Sequence, residues 1–104
     1  MSEWSGRLDY TEANVRKYAP TAGGVYRLVY KKDANTFTVF YVGQSDNLER
    51  RLLEHLADSE SDACIKRHLN NYSCYFRYLG VSTQSERDKA EQQQISEYSP
   101  SCNN

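Results

Sequence analysis

The sequence predicts an α/β (α+β) fold in which a small three-stranded antiparallel sheet is flanked by helices. Three observations indicate this class. Two neighbouring runs are rich in β-branched and aromatic residues, a leucine stripe with helical spacing follows them, and a further strand-like run precedes a last helix. A chain of 104 residues has the length of one domain. We therefore expect a single domain over residues 1–104, with a core at about 23–103 and an N-terminal extension at 1–22.

The individual elements are predicted from periodicity, helix caps and turn residues. Runs of β-branched and aromatic residues indicate strands, and the polar residues 31–36 between the first two runs indicate a hairpin loop. Thr, Ser, Asp and Asn before helical patterns indicate N-caps. The predicted order is a frayed start (1–9), a helix (11–18), two strands (25–30 and 37–42), a helix that ends near 56, a helix (62–69), a strand (74–81) and a last helix (85–98).

The helix after the hairpin has the clearest pattern in the chain. Leu48, Leu52 and Leu56 lie four residues apart, which is helical spacing and predicts a buried stripe. At about 100° per residue, Arg51 and His55 lie together on one margin of that stripe. This margin is where we expect polar side chains to meet the edge of the core.

Composition and charge limit the classes of function. The chain is 38% hydrophobic and 26% charged, and it has no apolar run of the roughly 18 residues that a membrane span needs. It also lacks the pattern of a secretion signal, so we expect a cytoplasmic protein whose cysteines, Cys64, Cys74 and Cys102, are reduced. Because the net charge is −1, any contact with nucleic acid has to come from a local basic patch.

The last predicted helix carries a carboxylate on its buried side. Its inward face is predicted to contain Ala90, Ile95 and Tyr98, with Gln94 among them, and Glu91 points into the middle of this face. A carboxylate that points into a core needs a cation or hydrogen-bond donors. The pattern leaves two interpretations open, which are a metal ligand and a structural salt bridge to Arg51, Arg77 or Arg87.

Two glycine- and tyrosine-containing tripeptides stand on successive predicted strands, and further polar and helix residues follow them at fixed spacing over residues 23–103. The residues are Gly24-Val25-Tyr26, Tyr41-Val42-Gly43, Asn47-Leu48, Arg51, His55, Glu91, Ile95, Pro100 and Asn103. In order and spacing this set resembles the GIY-YIG nuclease superfamily, whose name describes the two tripeptides, and it is similar to the catalytic domains of excision-repair and homing endonucleases.

The resemblance implies a metal ion and a phosphate clamp. The family glutamate holds a single divalent ion, so Glu91 is expected to bind one Mg²⁺ or Mn²⁺. Carboxylate and water oxygens are usual ligands of Mg²⁺. Arg51 is expected to clamp the scissile phosphate, because its planar fork of donors matches phosphate oxygens.

The resemblance also implies how water is activated. Tyr26 is expected to act as the general base or to orient the attacking water, with Tyr41 beside it. His55, one turn after the phosphate-clamping arginine, would contact the phosphate or relay a proton. Gln44 stands where some relatives have a lysine, and a neutral amide leaves less positive charge to stabilise a phenolate at Tyr26.

The implied function is an endonuclease that hydrolyses phosphodiester bonds of DNA, with RNA not excluded. Specificity is expected from a partner protein or a homodimer. Asn103 is expected to tie the chain end to the site and to contact nucleic acid. Arg51, Lys66, Arg67 and Arg77 are expected to gather near the site as a local positive track for DNA, with a solvated helix face as the alternative for Lys66 and Arg67. The alternative is a nucleic-acid-binding or protein-interaction module that keeps the fold with little or no cleavage.

Overall fold

The computed structural model describes residues 3–103. In this part of the chain the order of elements agrees with the predicted one, except for an added strand near the N-terminus and a 3-10 helix after the last α-helix. No helix in the same part is long and apolar enough to cross a membrane. The elements are β1 (Leu8–Asp9), α1 (Glu12–Tyr18), β2 (Gly24–Asp33), β3 (Thr36–Ser45), α2 (Leu48–Leu56), α3 (Ala63–Asn71), β4 (Cys74–Gly80), α4 (Gln84–Tyr98) and a 3-10 helix (Ser101–Asn103).

The sheet has four strands where the sequence predicts three. Their order is β1-β4-β2-β3, and every neighbouring pair is antiparallel. The added strand comes from the segment expected to be frayed, where Leu8 and Asp9 pair with β4. Tyr10 follows directly, and its buried ring and its hydroxyl, which donates to the carbonyl of Leu52 at 2.6 Å, hold this segment on the sheet.

β2 and β3 are longer than predicted because the polar residues between them continue the ladder. Asp33 pairs with Thr36, so the turn contains only residues 34–35. The carboxylate of Asp33 accepts the backbone N–H of Asn35 at 3.1 Å, which satisfies a donor within the turn. The side chains at this end of the hairpin are exposed although their backbones are paired. A prediction based on buried, apolar residues therefore ends the strands too early.

The register of the hairpin brings Tyr26 and Tyr41 to the same face of the sheet. Tyr26 pairs with Gly43 and Leu28 pairs with Tyr41, so the two tyrosines are diagonal neighbours. The register shifts directly after Leu28, which leaves Phe40 as an additional residue that is fully buried in the core. The bulge thus lets neighbouring residues of β3 face the same side.

α2 packs its leucine stripe beneath this face. Asn47 is its N-cap and accepts a backbone N–H of the first turn at 3.0 Å. Leu48 and Leu52 are fully buried, and His55 is 1% exposed. Arg51 keeps 37% of its side chain exposed, so the two residues predicted to share a margin lie at different depths.

α4 lies on the other face of the sheet, and its buried side is polar. Gln94 and Arg87 are both buried, and Gln94 accepts a hydrogen bond from Arg27 of β2. The sequence places Tyr98 on the inward face, but Tyr98 is 38% exposed because polar sheet side chains, rather than an apolar core, lie beneath the helix. α4 ends at Tyr98 and is capped by Ser99, whose φ of 45° is left-handed.

Candidate active site

Tyr26 is the central residue of the candidate site. Its side chain is 1% exposed and crosses over its strand partner Gly43, where a Cβ atom would collide with the phenol. A Cβ at Gly24 would collide with Leu48 of α2 and with the carbonyl of Leu79. The glycines of the two tripeptides therefore permit close approach of a side chain and of a helix.

A chain of three buried side chains begins at the Tyr26 hydroxyl. That hydroxyl lies 2.7 Å from Nε2 of His55, and Nδ1 of His55 lies 2.7 Å from Oε2 of Glu60. The other carboxylate oxygen of Glu60 accepts the backbone N–H of Asp62 at 2.8 Å. The Glu60 side chain is only 5% exposed. We call Tyr26, His55 and Glu60 the relay.

The surroundings of the relay set its protonation state. Burial lowers the pKa of His55 and Arg51 lowers it further, while Glu60 opposes this shift. Burial disfavours the ionised form of Glu60, but hydrogen bonds from Asp62 and His55 outweigh it and hold the pKa of Glu60 below its usual value. We therefore assign an ionised Glu60, a neutral His55 protonated at Nδ1, and a Tyr26 hydroxyl that donates to Nε2.

Tyr41 and Arg51 lie beside the relay. The ring centroid of Tyr41 is 6.1 Å from that of Tyr26 and 5.4 Å from that of His55. Burial raises the pKa of Tyr26, and Tyr41 adds to the rise, while Arg51 opposes it. Burial likewise raises the pKa of Tyr41 against the opposing charge of Arg51. Both phenols are therefore neutral in the free protein.

Glu91 reaches the same site from α4. Burial is the main cause of the raised pKa of Tyr26 and of Tyr41, and the charge of the half-buried Glu91 carboxylate adds to both shifts. Its hydrogen-bond partner is Gln44, whose Nε2 lies 3.2 Å from Oε1 of Glu91 and 2.6 Å from Oδ1 of Asp88. The Gln44 amide thus lies between two carboxylates and neutralises neither.

The salt-bridge interpretation of Glu91 is not supported. Among residues 3–103, no Lys, Arg or His nitrogen lies within 4.0 Å of this carboxylate. A half-buried carboxylate without a cationic partner suits a divalent ion that completes its shell with water. The three arginines considered as partners bind elsewhere, Arg51 to Glu54, Arg77 to the carbonyl of Ser5, and Arg87 to the carbonyls of Val81 and Ser82.

Comparison with known proteins agrees with this geometry. Residues 22–104 match the family model described as the GIY-YIG catalytic domain. The chain belongs to the GIY-YIG family. It is therefore a nuclease domain by family, as the resemblance implied. A comparison with curated proteins gives no match.

The GIY-YIG fold is also confirmed by solved structures. The chain is similar to the GIY-YIG N-terminal endonuclease domain of UvrC from Thermotoga maritima bound to magnesium, with a TM-score of 0.63, 23% identity, and coverage of 86% of this chain and 94% of that one. A tyrosine-to-phenylalanine variant of the same domain, bound to its catalytic divalent cation, gives a TM-score of 0.64 and 23% identity, and covers 86% and 93%.

Asn103 ties the end of the GIY-YIG domain to β3. Its Oδ1 accepts the N–H of Val42 and its Nδ2 donates to the carbonyl of Val42, both at 2.8 Å. Because Val42 follows Tyr41, this amide fixes the backbone that carries Tyr41. The nucleic-acid contact predicted for Asn103 stays a prediction.

The predicted positive track is only partly assembled. Lys66 and Arg67 are exposed on α3, which packs against the helix that carries Arg51. On β4, Tyr78 pairs with Tyr26, and Arg77 directly precedes Tyr78. Because successive side chains of a strand alternate between its faces, Arg77 projects from the sheet face opposite to Tyr26. The expectation that Arg77 joins the track near Arg51 is therefore wrong.

Two of the three cysteines are bonded to each other, which corrects the expectation of reduced thiols. Cys64 and Cys102 form a disulfide and Cys74 is free. The pair is 38 residues apart, and only the packing of the 3-10 helix against α3 brings it together. Cys64, Cys102 and His68 have the grouping of a metal site, but bonded sulfurs are not thiolate ligands.

Glu60 is the site residue that the sequence did not reveal. It lies in the loop after α2, where no helical or strand periodicity applies. The only signal is an acidic residue shortly after His55, and Asp58 and Asp62 in the same stretch offer that signal equally. Only the folded loop shows that Glu60, and neither aspartate, contacts His55.

Proposed function

We propose that this GIY-YIG domain is a metal-dependent endonuclease that hydrolyses phosphodiester bonds of DNA. The observation that carries the proposal is the buried relay beside Glu91 and Arg51. Hydrolysis needs a water that loses a proton, and the relay offers a hydroxyl whose own proton already has an acceptor. A module that only binds nucleic acid has no use for a buried proton path of this kind.

The relay supports a concerted transfer rather than a stored phenolate. Because burial raises the pKa of Tyr26, its phenolate is scarcely populated in the free protein. As Tyr26 takes a proton from water, it passes its own proton to Nε2 of His55. Ionised Glu60 then stabilises the imidazolium that forms, as the carboxylate does in a serine-protease triad.

Arg51 and Glu91 are proposed to handle the charge of the phosphate. The half-exposed guanidinium of Arg51 lies beside the relay and donates to the scissile phosphate from a planar fork. Glu91 holds one Mg²⁺ or Mn²⁺. When bound, this ion neutralises charge on the phosphoryl oxygens and acidifies water.

The substrate and partners are proposed from the family and from surface charge. UvrC is the protein whose endonuclease domain this chain resembles, and we infer DNA as the substrate here. Lys66 and Arg67 provide phosphate contacts on the exposed side of α3. Since the net charge is −1, we propose that a partner protein or a second copy of this chain supplies specificity.

A cleavage assay with matched variants tests the proposal. The purified chain is incubated with plasmid, branched DNA and RNA, in Mg²⁺, in Mn²⁺ and in EDTA. We expect cleavage of DNA that EDTA abolishes. Glu91→Gln should lose it, while Glu97→Gln, on the exposed side of the same helix, should retain it. If both variants cleave equally, or if none of the substrates is cut, the interaction module is the better explanation.

A further inference from the structure

The sheet face opposite to the relay has a cavity lined by three arginines. Arg27 of β2 and Arg77 of β4 are ladder partners on this face, and Arg7 of the N-terminal segment approaches from the side. The cavity has a volume of about 210 Å³, below the roughly 300 Å³ at which sites for complete small molecules begin. Its size suits a single small anionic group. Its walls are Arg7, Arg27, Val29, Phe37, Val39, Arg77 and Tyr98.

Within residues 3–103, the guanidinium groups of Arg7, Arg27 and Arg77 have no carboxylate partner. Every salt bridge found among residues 3–103 involves other cations. Arg27 is only 8% exposed. Burial lowers its pKa and Tyr98 opposes this shift, while the like charge of Arg77 adds to the lowering and exceeds the opposing effect of Glu97. Like charges held together at a partly buried position favour an anion between them.

The terminal nitrogens of these arginines are free to bind. Nε of Arg27 donates to Oε1 of Gln94 at 2.5 Å, and Nε of Arg77 donates to the carbonyl of Ser5 at 3.0 Å. In the described part of the chain, the terminal nitrogens of Arg7, Arg27 and Arg77 have no acceptor. Each arginine held by its Nε therefore presents its outer fork, the geometry that binds phosphate oxygens in pairs.

Aromatic rings fix the planes of two of these guanidinium groups. The guanidinium carbon of Arg27 lies 3.9 Å from the ring centroid of Trp4 and 4.8 Å from that of Tyr98. That of Arg7 lies 3.5 Å from the ring centroid of Phe37. Stacking of this kind orients a cation but does not neutralise it. The forks are thus held in place before any ligand arrives.

We propose that this cavity binds a phosphate group, and that it anchors a nucleic-acid strand at a point away from the bond that is cut. The second part rests on the proposed function, while phosphate binding itself does not. The chemistry is that of a phosphate monoester or diester held by arginine forks. A strand that crosses the domain would contact Arg51 on one face and this cavity on the other.

Trp4 provides a direct readout, because it is the single tryptophan of the sequence and its ring stacks on Arg27. Its fluorescence is followed at low salt while inorganic phosphate, a nucleoside 5′-monophosphate or a single-stranded oligonucleotide is added. We expect a saturable change, with tighter binding of the oligonucleotide if the phosphate belongs to a strand. Tightest binding of the mononucleotide would support the cavity as a nucleotide site and overturn the strand anchor.

Matched arginine variants show whether the signal comes from this cavity. Arg7→Gln removes an exposed cation, and Arg77→Gln removes a half-buried one. Each should weaken phosphate binding by about tenfold or more. For the oligonucleotide, the slope of log affinity against log salt concentration should become shallower by about the amount expected for one phosphate contact. Arg16→Gln, on the exposed side of α1, is the control and should bind like the wild type.

Two outcomes would overturn the inference, and neither depends on catalysis. One is an unchanged Trp4 signal with all three ligands, and the other is equal affinity of the wild type and Arg7→Gln. Glu91→Gln should keep the Trp4 response while losing cleavage. Cleavage without a Trp4 response would contradict the proposed phosphate site but not the nuclease. A Trp4 response without cleavage would contradict the proposed nuclease activity but not the phosphate site.

Discussion

The Tyr26 hydroxyl and Nε2 of His55 lie 2.7 Å apart, and each side chain is only 1% exposed. Both residues are shielded from bulk solvent, so the acceptor for the Tyr26 proton is in place before substrate binds. Removing either partner leaves the other buried without its hydrogen bond, which costs about 1–3 kcal/mol. Function and stability are therefore linked at this contact.

Tyr26→Phe should abolish most turnover while the protein still folds, because only one hydroxyl is lost. If Tyr26 relays the proton, the rate should fall about as far as in Glu91→Gln. If Tyr26 only orients water, the loss should be smaller. Single-turnover cleavage measures the rate, and circular dichroism checks the fold. Tyr72→Phe, on an exposed tyrosine, should cleave like the wild type.

Glu60→Gln should slow turnover by roughly 10²- to 10⁴-fold, the usual size of a general acid–base contribution. The amide removes the negative charge that stabilises a protonated His55, and it can also favour the tautomer with its proton on Nε2. The KM for DNA should change little, since Glu60 is buried away from the phosphate. Asp58→Asn, at an exposed site in the same loop, is the control. A large rise in KM with an unchanged kcat would contradict the role of Glu60 in stabilising protonated His55.

Stability and cleavage should both fall on the acid side of neutrality. Burial and Arg51 lower the pKa of His55 against the opposing Glu60 and Asp62, so the unfolded chain binds this proton more readily than the folded one. Neutral His55 therefore contributes fully to the free energy of unfolding above about pH 6.5, the pKa of an unfolded histidine. This contribution is lost as the pH falls through the lowered pKa of folded His55.

The cleavage rate should fall over the same acid pH range, which forms the acid limb of its pH profile, because a protonated Nε2 cannot accept the proton of Tyr26. The measurements are kcat/KM and the free energy of unfolding across this range. In Glu60→Gln the limb should move to lower pH, since Glu60 raises the pKa of His55. A limb well above pH 6.5 would exclude His55 as its origin.

Gly43→Ala should displace the phenol of Tyr26, because a Cβ atom at this position meets the hydroxyl and the ring. Overpacking of a buried contact typically costs about 1–3 kcal/mol, so we expect a lower melting temperature together with lost cleavage. Gly80→Ala is the matched control, since a Cβ there has no atom within 4 Å. Equal behaviour of the two variants would show that Tyr26 does not lie across Gly43 in solution.

Replacing Cys64 or Cys102 with Ser should lower the free energy of unfolding by about 4 kcal/mol, from the chain entropy of a loop of this length. The bridged residues are separated by 38 positions. Cys74→Ser, at the free cysteine, should have a much smaller effect. Thermal unfolding with and without a reductant measures the difference, and a wild type insensitive to the reductant would contradict this assignment.

The elements could be predicted from sequence because local rules govern them, whereas the metal role of Glu91 came only from the family resemblance and stays a prediction. The leucine stripe of α2 and the position of Glu91 on the inner side of α4 each depend on residues within one helix. The pairing of Cys64 with Cys102 and the selection of Glu60 depend on how loops and chain ends pack, for which spacing carries no information. β1 was missed because a two-residue strand is too short for alternation to be seen.

The amide of Asn103, bonded to both backbone groups of Val42, acts in place of a neighbouring strand. β3 is an outer strand of the sheet, and such edges readily recruit a strand from another molecule. A foreign strand would have to displace this amide to extend the sheet, while the opposite edge, β1, offers only two residues. Because the disulfide at Cys102 fastens the turn that carries Asn103, its reduction should free this edge and favour self-association of the chain.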